Sequence, residues 1–302
     1  MKNQEEINMT KILVVIDPRE ETQFALERCK EISPEADLQL HVCTLVEPAA
    51  ASEMAQILKE KKVWLNEQIE PYVELGYDIT TELISSGRFY EGIIKVASKI
   101  GADFIFKPMR QHSLIRRVVL TSTDWNLIRF CPHPLLLVSN RNVVHGKPII
   151  AAVDVCSHDS KHEELNRIVM QQSLRVAAVL ESEVNCVNAW FVNSAVMAAG
   201  SVDAAPYQIA HAQKIDHINE SRALCEKYSI PGDRVFVEEG SATFVVNHIA
   251  KEIDAGVVVI GTVARTGMSG FFVGNTAESV LESSTTDVMV VKQPGFECPL
   301  DL

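Results

Sequence analysis

The chain has no C-x-x-C pair, and its seven cysteines, at positions 29, 43, 131, 156, 186, 225 and 298, are odd in number and scattered. That spacing does not describe a disulfide framework. Most of them lie within apolar runs, where free cysteine packs as a small hydrophobe, so a reducing cytoplasm is the expected compartment. Long apolar stretches are missing too: nothing approaches the roughly 18 residues of a transmembrane helix. The opening MKNQEEINMTKILVVI holds one five-residue apolar run behind acidic residues, too short for a signal-peptide core. Positive charge is in deficit, 28 Lys and Arg against 40 Asp and Glu for a net charge of −12. A generally basic face for DNA or RNA is therefore not expected, and neither is a membrane partner.

What the chain does have is ordinary globular composition, 47% hydrophobic and 23% charged over 302 residues, enough for two proper cores. It is also internally repeated. The run Ile12 to Asp17 returns as Ile149 to Asp154, an offset of 137 residues, and Leu40 to Leu45 returns as Val187 to Val192 at an offset of 147. From Gly87 onward the offset holds at 153: Gly87 falls on Gly240, Ala97 on Ala250, Ile100 on Ile253, Ala102 on Ala255 and Val138 on Val291. A constant offset with apolar positions in phase marks two copies of one structural unit.

Each copy alternates β-rich apolar runs with helical patterns. Strands are expected at 12–16, 38–45, 79–84, 103–107 and 135–139, then at 149–153, 184–192, 234–238, 257–260 and 287–292. Ile93, Val96, Ala97 and Ile100 have the spacing of a helix with one buried face. Runs such as Val257 to Ile260 read as strands buried on both sides, as a parallel sheet requires. The fold class is α/β, two tandem doubly wound parallel-sheet domains of Rossmann-like or flavodoxin-like type. Their expected bounds are 1–143 and 144–302, with Asn, His, Gly and Pro clustering near Asn140–Lys147. Copy two carries a small-residue-rich insertion, 193–206, where copy one has a charged helical stretch from Met54 to Glu74. A plain connecting helix and a mobile cover over an apolar cavity are both open readings of that insertion.

In an open parallel sheet, ligands bind beyond the carboxyl ends of the strands, where chain direction reverses. Two features fall there: the aspartate closing each first strand, Asp17 and Asp154, and the glycine-rich segment that follows Val257 to Ile260, from Gly261 through Gly267, Gly270 and Gly274 to Glu278. Glycines let backbone N–H groups approach an anion, and a helix starting after Gly274 aims its positive end at phosphate. Alternatively, Asn275 with Glu278 reads as a helix capping box, which needs no ligand. Copy one has lost the glycines: Pro108, Gln111, Thr121 and Ser122 stand where Gly261, Ala264, Gly274 and Asn275 stand. Lys107, Arg110, Arg116 and Arg117 in that loop are expected to be solvated or salt-bridged rather than to gather an anion. His158 and His162 have metal-ligand spacing, but Asp159 or Ser160 reads as a helix cap that leaves His158 outside the helix, so no metal is expected.

These residues resemble the universal stress proteins, in strand order, in the first-strand aspartate and in a phosphate motif G-x2-G-x9-G-[ST]. The matching positions are Gly261, Ala264, Gly274 and Asn275, so the outer glycines are kept and two elements are changed. The run from Gly261 to Gly267, the run Gly274 to Glu278, and in copy one Thr123 to Arg129 and Cys131 to Pro134 are similar to the tandem E-type members, over residues 11 to 293. The resemblance implies a pseudo-dimer paired through the last strand of each copy, Leu135–Ser139 and Val288–Lys292. It implies a cytoplasmic stress-response regulator with ATP or AMP as the ligand, held in domain two by Asp154, Ala189, Ile260, Gly261, Thr262, Ala264, Gly274, Asn275 and Thr276. The partners are then a small-molecule ligand and the other copy in the same chain, with a homo-oligomer or a protein partner as further outlets. A nucleotide-independent scaffold around an apolar or lipid-like ligand is the alternative, and an ATP hydrolase a third reading. Hydrolysis needs a positioned base and usually a metal, and neither is recognisable in the sequence, so no enzyme is expected. Purified protein should therefore show no appreciable ATP turnover, with or without magnesium. Phosphate release that tracks the protein through purification and disappears in Asp154→Ala would overturn this.

Overall fold

The computed structural model describes residues 9–33, 37–111, 118–140, 143–157, 159–191, 205–262, 265–267, 270–272 and 275–300. The chain divides into two compact units, Met1–Val143 with Glu297–Leu302, and Val144–Phe296.

In unit one the elements are β1 (Thr10–Ile16), α1 (Phe24–Cys29), β2 (Leu38–Val46), α2 (Ala51–Glu74), β3 (Asp78–Ser85), α3 (Phe89–Ile100) and β4 (Phe104–Pro108). A two-rung antiparallel ladder follows, β5 (Arg110–Gln111) with β6 (Val118–Val119), and then α4 (Ser122–Phe130) and β7 (Leu135–Val138). All five long strands pair in parallel, in the order β3-β2-β1-β4-β7.

Unit two repeats this plan with β8 (Ile149–Val153), α5 (Ser160–Val179), β9 (Val184–Trp190), α6 (Ala205–Glu226), β10 (Val235–Glu239), α7 (Ala242–Glu252) and β11 (Val257–Thr262). The short antiparallel pair β12 (Arg265–Gly267) and β13 (Gly270–Phe272) precedes α8 (Asn275–Ser283) and β14 (Asp287–Lys292). Its parallel order is β10-β9-β8-β11-β14, the same as that of unit one. In each unit the order reverses beside the first strand, which opens a crevice at the carboxyl ends of β1 and β4, and of β8 and β11.

The strands form where apolar runs are continuous. Ile12 to Ile16 in β1, Phe104 to Phe106 in β4 and Val257 to Ile260 in β11 are all buried, as strands covered on both faces must be. Helix α3 buries Ile93, Ile94, Val96 and Ala97 and keeps Lys95, Ser98 and Lys99 on its exposed side. Gly101 ends it in a left-handed conformation at φ +65°, and Asp254 takes φ +51° one repeat later, after α7. The apolar run at 184–192 gives a strand that ends at Trp190, and Phe191 turns out to solvent. The stretch from Met54 to Glu74 lies in α2 as its pattern suggests; 193–204 lie outside the described residues. The two short ladders after the fourth strands were not legible, because two- and three-residue strands carry no period.

Gly261 sits where β11 meets α5. A Cβ there would stand 2.5 Å from Leu165 Cγ and 2.6 Å from Leu165 Cδ2, so the close approach of helix to strand requires glycine whatever binds above it. Gly261→Ala should lower the stability seen in urea unfolding by about 1–3 kcal/mol through overpacking. Combined with Leu165→Ala, the loss should be smaller than the sum of the two single effects; strict additivity would show that the contact is not limiting.

Candidate functional site

The two crevices are built around one local device. In unit one, Gln23 at the start of α1 clamps the aspartate backbone: Asp17 N–H donates to Gln23 Oε1 at 3.0 Å, and Gln23 Nε2 donates to the Asp17 carbonyl at 2.9 Å. In unit two, Asn166 within α5 does the same for Asp154, at 3.0 and 2.7 Å. Both amides are buried. Past the end of the strand ladder, these bonds satisfy the aspartate N–H groups and the Asp154 carbonyl, join the Glu20 N–H at 3.0 Å on the Asp17 carbonyl, and fix where each aspartate emerges. Sequence reasoning missed them because the amides differ in length and lie 143 residues apart, an offset shared by neither flank.

Beyond the clamp the two sites diverge. Asp17 accepts from Arg19 Nε at 2.9 Å, from Arg19 Nη2 at 2.8 Å and from Arg110 Nη2 at 2.8 Å, while the Arg19 backbone N–H caps Oδ1 at 3.0 Å. Burial alone would raise the pKa of this carboxyl, but the hydrogen bonds from Arg19 and Arg110 outweigh it and hold Asp17 well below the usual carboxylate range. Beside it, Thr121 and Asp124 form a reciprocal capping box at the start of α4, with Asp124 Oδ2 accepting from Thr121 N at 2.6 Å and from Thr121 Oγ1 at 2.7 Å. Buried Lys107 completes the set, with its Nζ 2.5 Å from Asp124 Oδ1. A cavity of about 260 Å³ lies between these groups, lined by Asp17, Arg19, Glu20, Lys107, Arg110 and Thr121 among others. Every charge named on its wall except Glu20, which lies 3.8 Å from Arg110 Nε, is closely paired within the unit, and a carboxylate already occupies the helix N-terminus that a phosphate would use. The salt-bridged reading of Lys107 and Arg110 therefore holds; Arg116 and Arg117 lie outside the described residues.

In unit two, Cys156 stands where Arg19 stands, and Ile260 and Ala277 stand in place of Lys107 and Asp124. Asp154 is exposed, and among the described residues its carboxylate has no hydrogen-bond or ion-pair partner. Gly261, half-buried, is the last residue but one of the neighbouring strand, and Ala189, also half-buried, lies on β9 across β8. Ile260 is buried in β11. The Thr262 hydroxyl is buried too, donating to the Val291 carbonyl at 3.4 Å and accepting from Lys292 Nζ at 2.9 Å. Asn275 and Thr276 open α8. Gly274 and Ala264 lie outside the described residues. Asp159 caps α5 by accepting from Lys161 N at 3.0 Å and sits 3.5 Å from His162 Nδ1; His158 lies outside the described residues. One group of possible metal ligands converges among the described residues, Glu238, His248 and Glu252, within 4.8 Å of one another at the outer strand β10 and reaching solvent.

The doubly wound unit is repeated in tandem, and one family model matches both copies. The universal stress protein family model matches residues 8–139 and 146–292. The chain belongs to the universal stress protein family. It is 31% identical over 304 residues to universal stress protein E of Escherichia coli K12, covering 96% of each chain. It is 30% identical over 307 residues to universal stress protein E of Photorhabdus laumondii, covering 97% of this chain and 98% of that one. Among solved structures, a protein of unknown function from Pseudomonas aeruginosa PAO1 matches with a TM-score of 0.77 at 28% identity over 95% and 94% of the two chains. A universal stress protein from Archaeoglobus fulgidus shares the fold, with a TM-score of 0.61 at 15% identity over 93% and 98%. No helix among the described residues is long and apolar enough to cross a membrane.

The unit-one ion pairs make a pH-dependent prediction. Asp17→Asn should cost about 1–2 kcal/mol at neutral pH, at the lower end because Arg19 and Arg110 are themselves 59% and 40% exposed. Because the folded-state pKa is depressed, the wild-type advantage is complete above the unfolded-state pKa near 4 and shrinks as pH falls below it. Urea unfolding of both proteins at pH 7 and pH 3 checks this; a difference that grows on acidification would contradict it.

Proposed function

We propose that the protein is a cytoplasmic stress-response regulator whose unit two binds a small ligand, an adenine nucleotide held weakly, while unit one is a structural copy that binds none. The observation that carries this is the contrast between the two aspartates: Asp17 is closed by Arg19 and Arg110, whereas Asp154, on the same clamp, presents its carboxylate to solvent. Unit two also retains Gly261 and Gly274 of the phosphate motif, while unit one retains neither. Turnover is not part of this reading, since the described residues at Asp154 supply no base-and-metal constellation.

Ala264 stands at a motif glycine. If that position is left-handed, alanine costs about 1–2 kcal/mol there, roughly tenfold in affinity. Calorimetry with ATP on the wild type, Ala264→Gly and Gly274→Trp tests the assignment. Binding should tighten about tenfold in the glycine variant and vanish when tryptophan fills the loop. Unchanged affinity in Gly274→Trp would show that the loop serves only to start α8. Exposed Phe191 at the end of β9 and Phe244 at the start of α7 favour an apolar ligand as the second reading. Native mass spectrometry of gently purified protein separates the two by the mass of what co-purifies.

A further inference from the structure

Strand β9 turns Cys186, Asn188 and Trp190 onto one face, and α6 lies against that face. His217 of α6 meets two of them: its Nδ1 is 2.7 Å from Asn188 Oδ1, and its ring centroid is 6.4 Å from that of Trp190. The chemistry of the first contact is determined. Asn188 Nδ2 donates to the Val153 carbonyl in β8 at 3.0 Å, which leaves Oδ1, an acceptor, facing His217. Nδ1 must then carry the ring proton, and Nε2 is a lone pair held in a fixed direction. Burial lowers the His217 pKa, so the ring is neutral near pH 7 even though Asp154 and Asp216 pull the other way.

Trp190 is 5% exposed, and its Nε1–H has no acceptor among the described residues. A buried donor left unpaired costs about 1–3 kcal/mol, more than a packing residue at this position needs to incur. Gln213, one helical turn before His217, also buries its Oε1 without a donor. Because His217 meets Asn188 and Cys225 meets Cys186, α6 runs opposite to β9, and Gln213 lies beyond His217 in the direction of Trp190. The seam therefore ends in one unpaired donor and two acceptors. It ends close to Asp154, because Asn188, which His217 meets, is in register with Val153, the residue just before Asp154, and bonds its carbonyl. Unit one has Cys43 in the place of Trp190.

We propose that Trp190, His217 and Gln213 form the base-reading end of the unit-two site: the indole N–H donates to a ring nitrogen of an aminopurine, and His217 Nε2 or Gln213 Oε1 accepts from its exocyclic amine. This rests on the reading of unit two as the nucleotide-binding half, and it adds what that half discriminates, a 6-amino from a 6-oxo purine. The oxo base reverses the pattern, offering a carbonyl and a ring N–H where the site supplies a lone pair and a donor.

Calorimetry of the full chain with AMP and with IMP tests this on the wild type, Trp190→Phe and His217→Asn. The asparagine keeps a group at the Nδ1 position and removes Nε2. The wild type should prefer AMP, Trp190→Phe should bind AMP roughly 2- to 10-fold more weakly, the equivalent of one hydrogen bond, and His217→Asn should lose most of the preference. Thermal unfolding identifies any variant that has simply lost its fold. A ¹⁵N–¹H spectrum provides a second readout: of the three indole signals, the one absent in Trp190→Phe should move when AMP is added to the wild type. If AMP binds while that signal stays still and both variants match the wild type, the seam is only packing and the inference is wrong. If neither nucleotide binds, the nucleotide reading of unit two fails and takes this inference with it.

Discussion

A side-chain amide bonded to both backbone groups of one aspartate is the constraint on which each half of this protein depends. The central strand of a parallel sheet runs out of partners at its carboxyl end, and its last N–H and C=O need a substitute for the ladder. Gln23 and Asn166 are those substitutes. They tie the strand end to the following helix and determine which way Asp17 and Asp154 point. A weaker joint would leave the switch point, and any ligand chemistry there, without a fixed geometry.

On this shared base the two halves dispose of charge in opposite ways. Unit one closes its crevice with two arginines on Asp17 and a lysine on Asp124, so the anion its helix α4 favours is one of its own residues. Unit two has cysteine, isoleucine and alanine at three of those positions, and it buries polar groups instead along the seam between β9 and α6. The two copies share the scaffold and differ in the charges at their strand ends.

Much of the fold was legible because parallel strands are buried on both sides, and continuous apolar runs such as Val257 to Ile260 stand out without any partner being known. The first-strand aspartates were legible because they end such runs. The residues that decide what the aspartates do were not. Arg110 reaches Asp17 across 93 residues, and no local pattern announces that pairing. Trp190 and Asn188 read as ordinary strand residues until α6 brings His217 to them. Gly261 was legible as a glycine with a purpose, but the sequence pointed to phosphate, whereas the Leu165 side chain packed against its Cα is a second and independent reason. Lys292, buried and bonded to Thr262, carried no signal beyond a charge at the end of an apolar run.

The closed charge network of unit one has a thermodynamic consequence. A domain that binds a ligand gains folding free energy in proportion to the logarithm of ligand concentration, so its stability follows the composition of the solution around it. A domain that supplies its own counter-charges has no such dependence. On the proposed reading, one covalent chain joins a half whose melting is set internally to a half whose melting would follow its ligand, the first serving as a fixed reference against which the second is read.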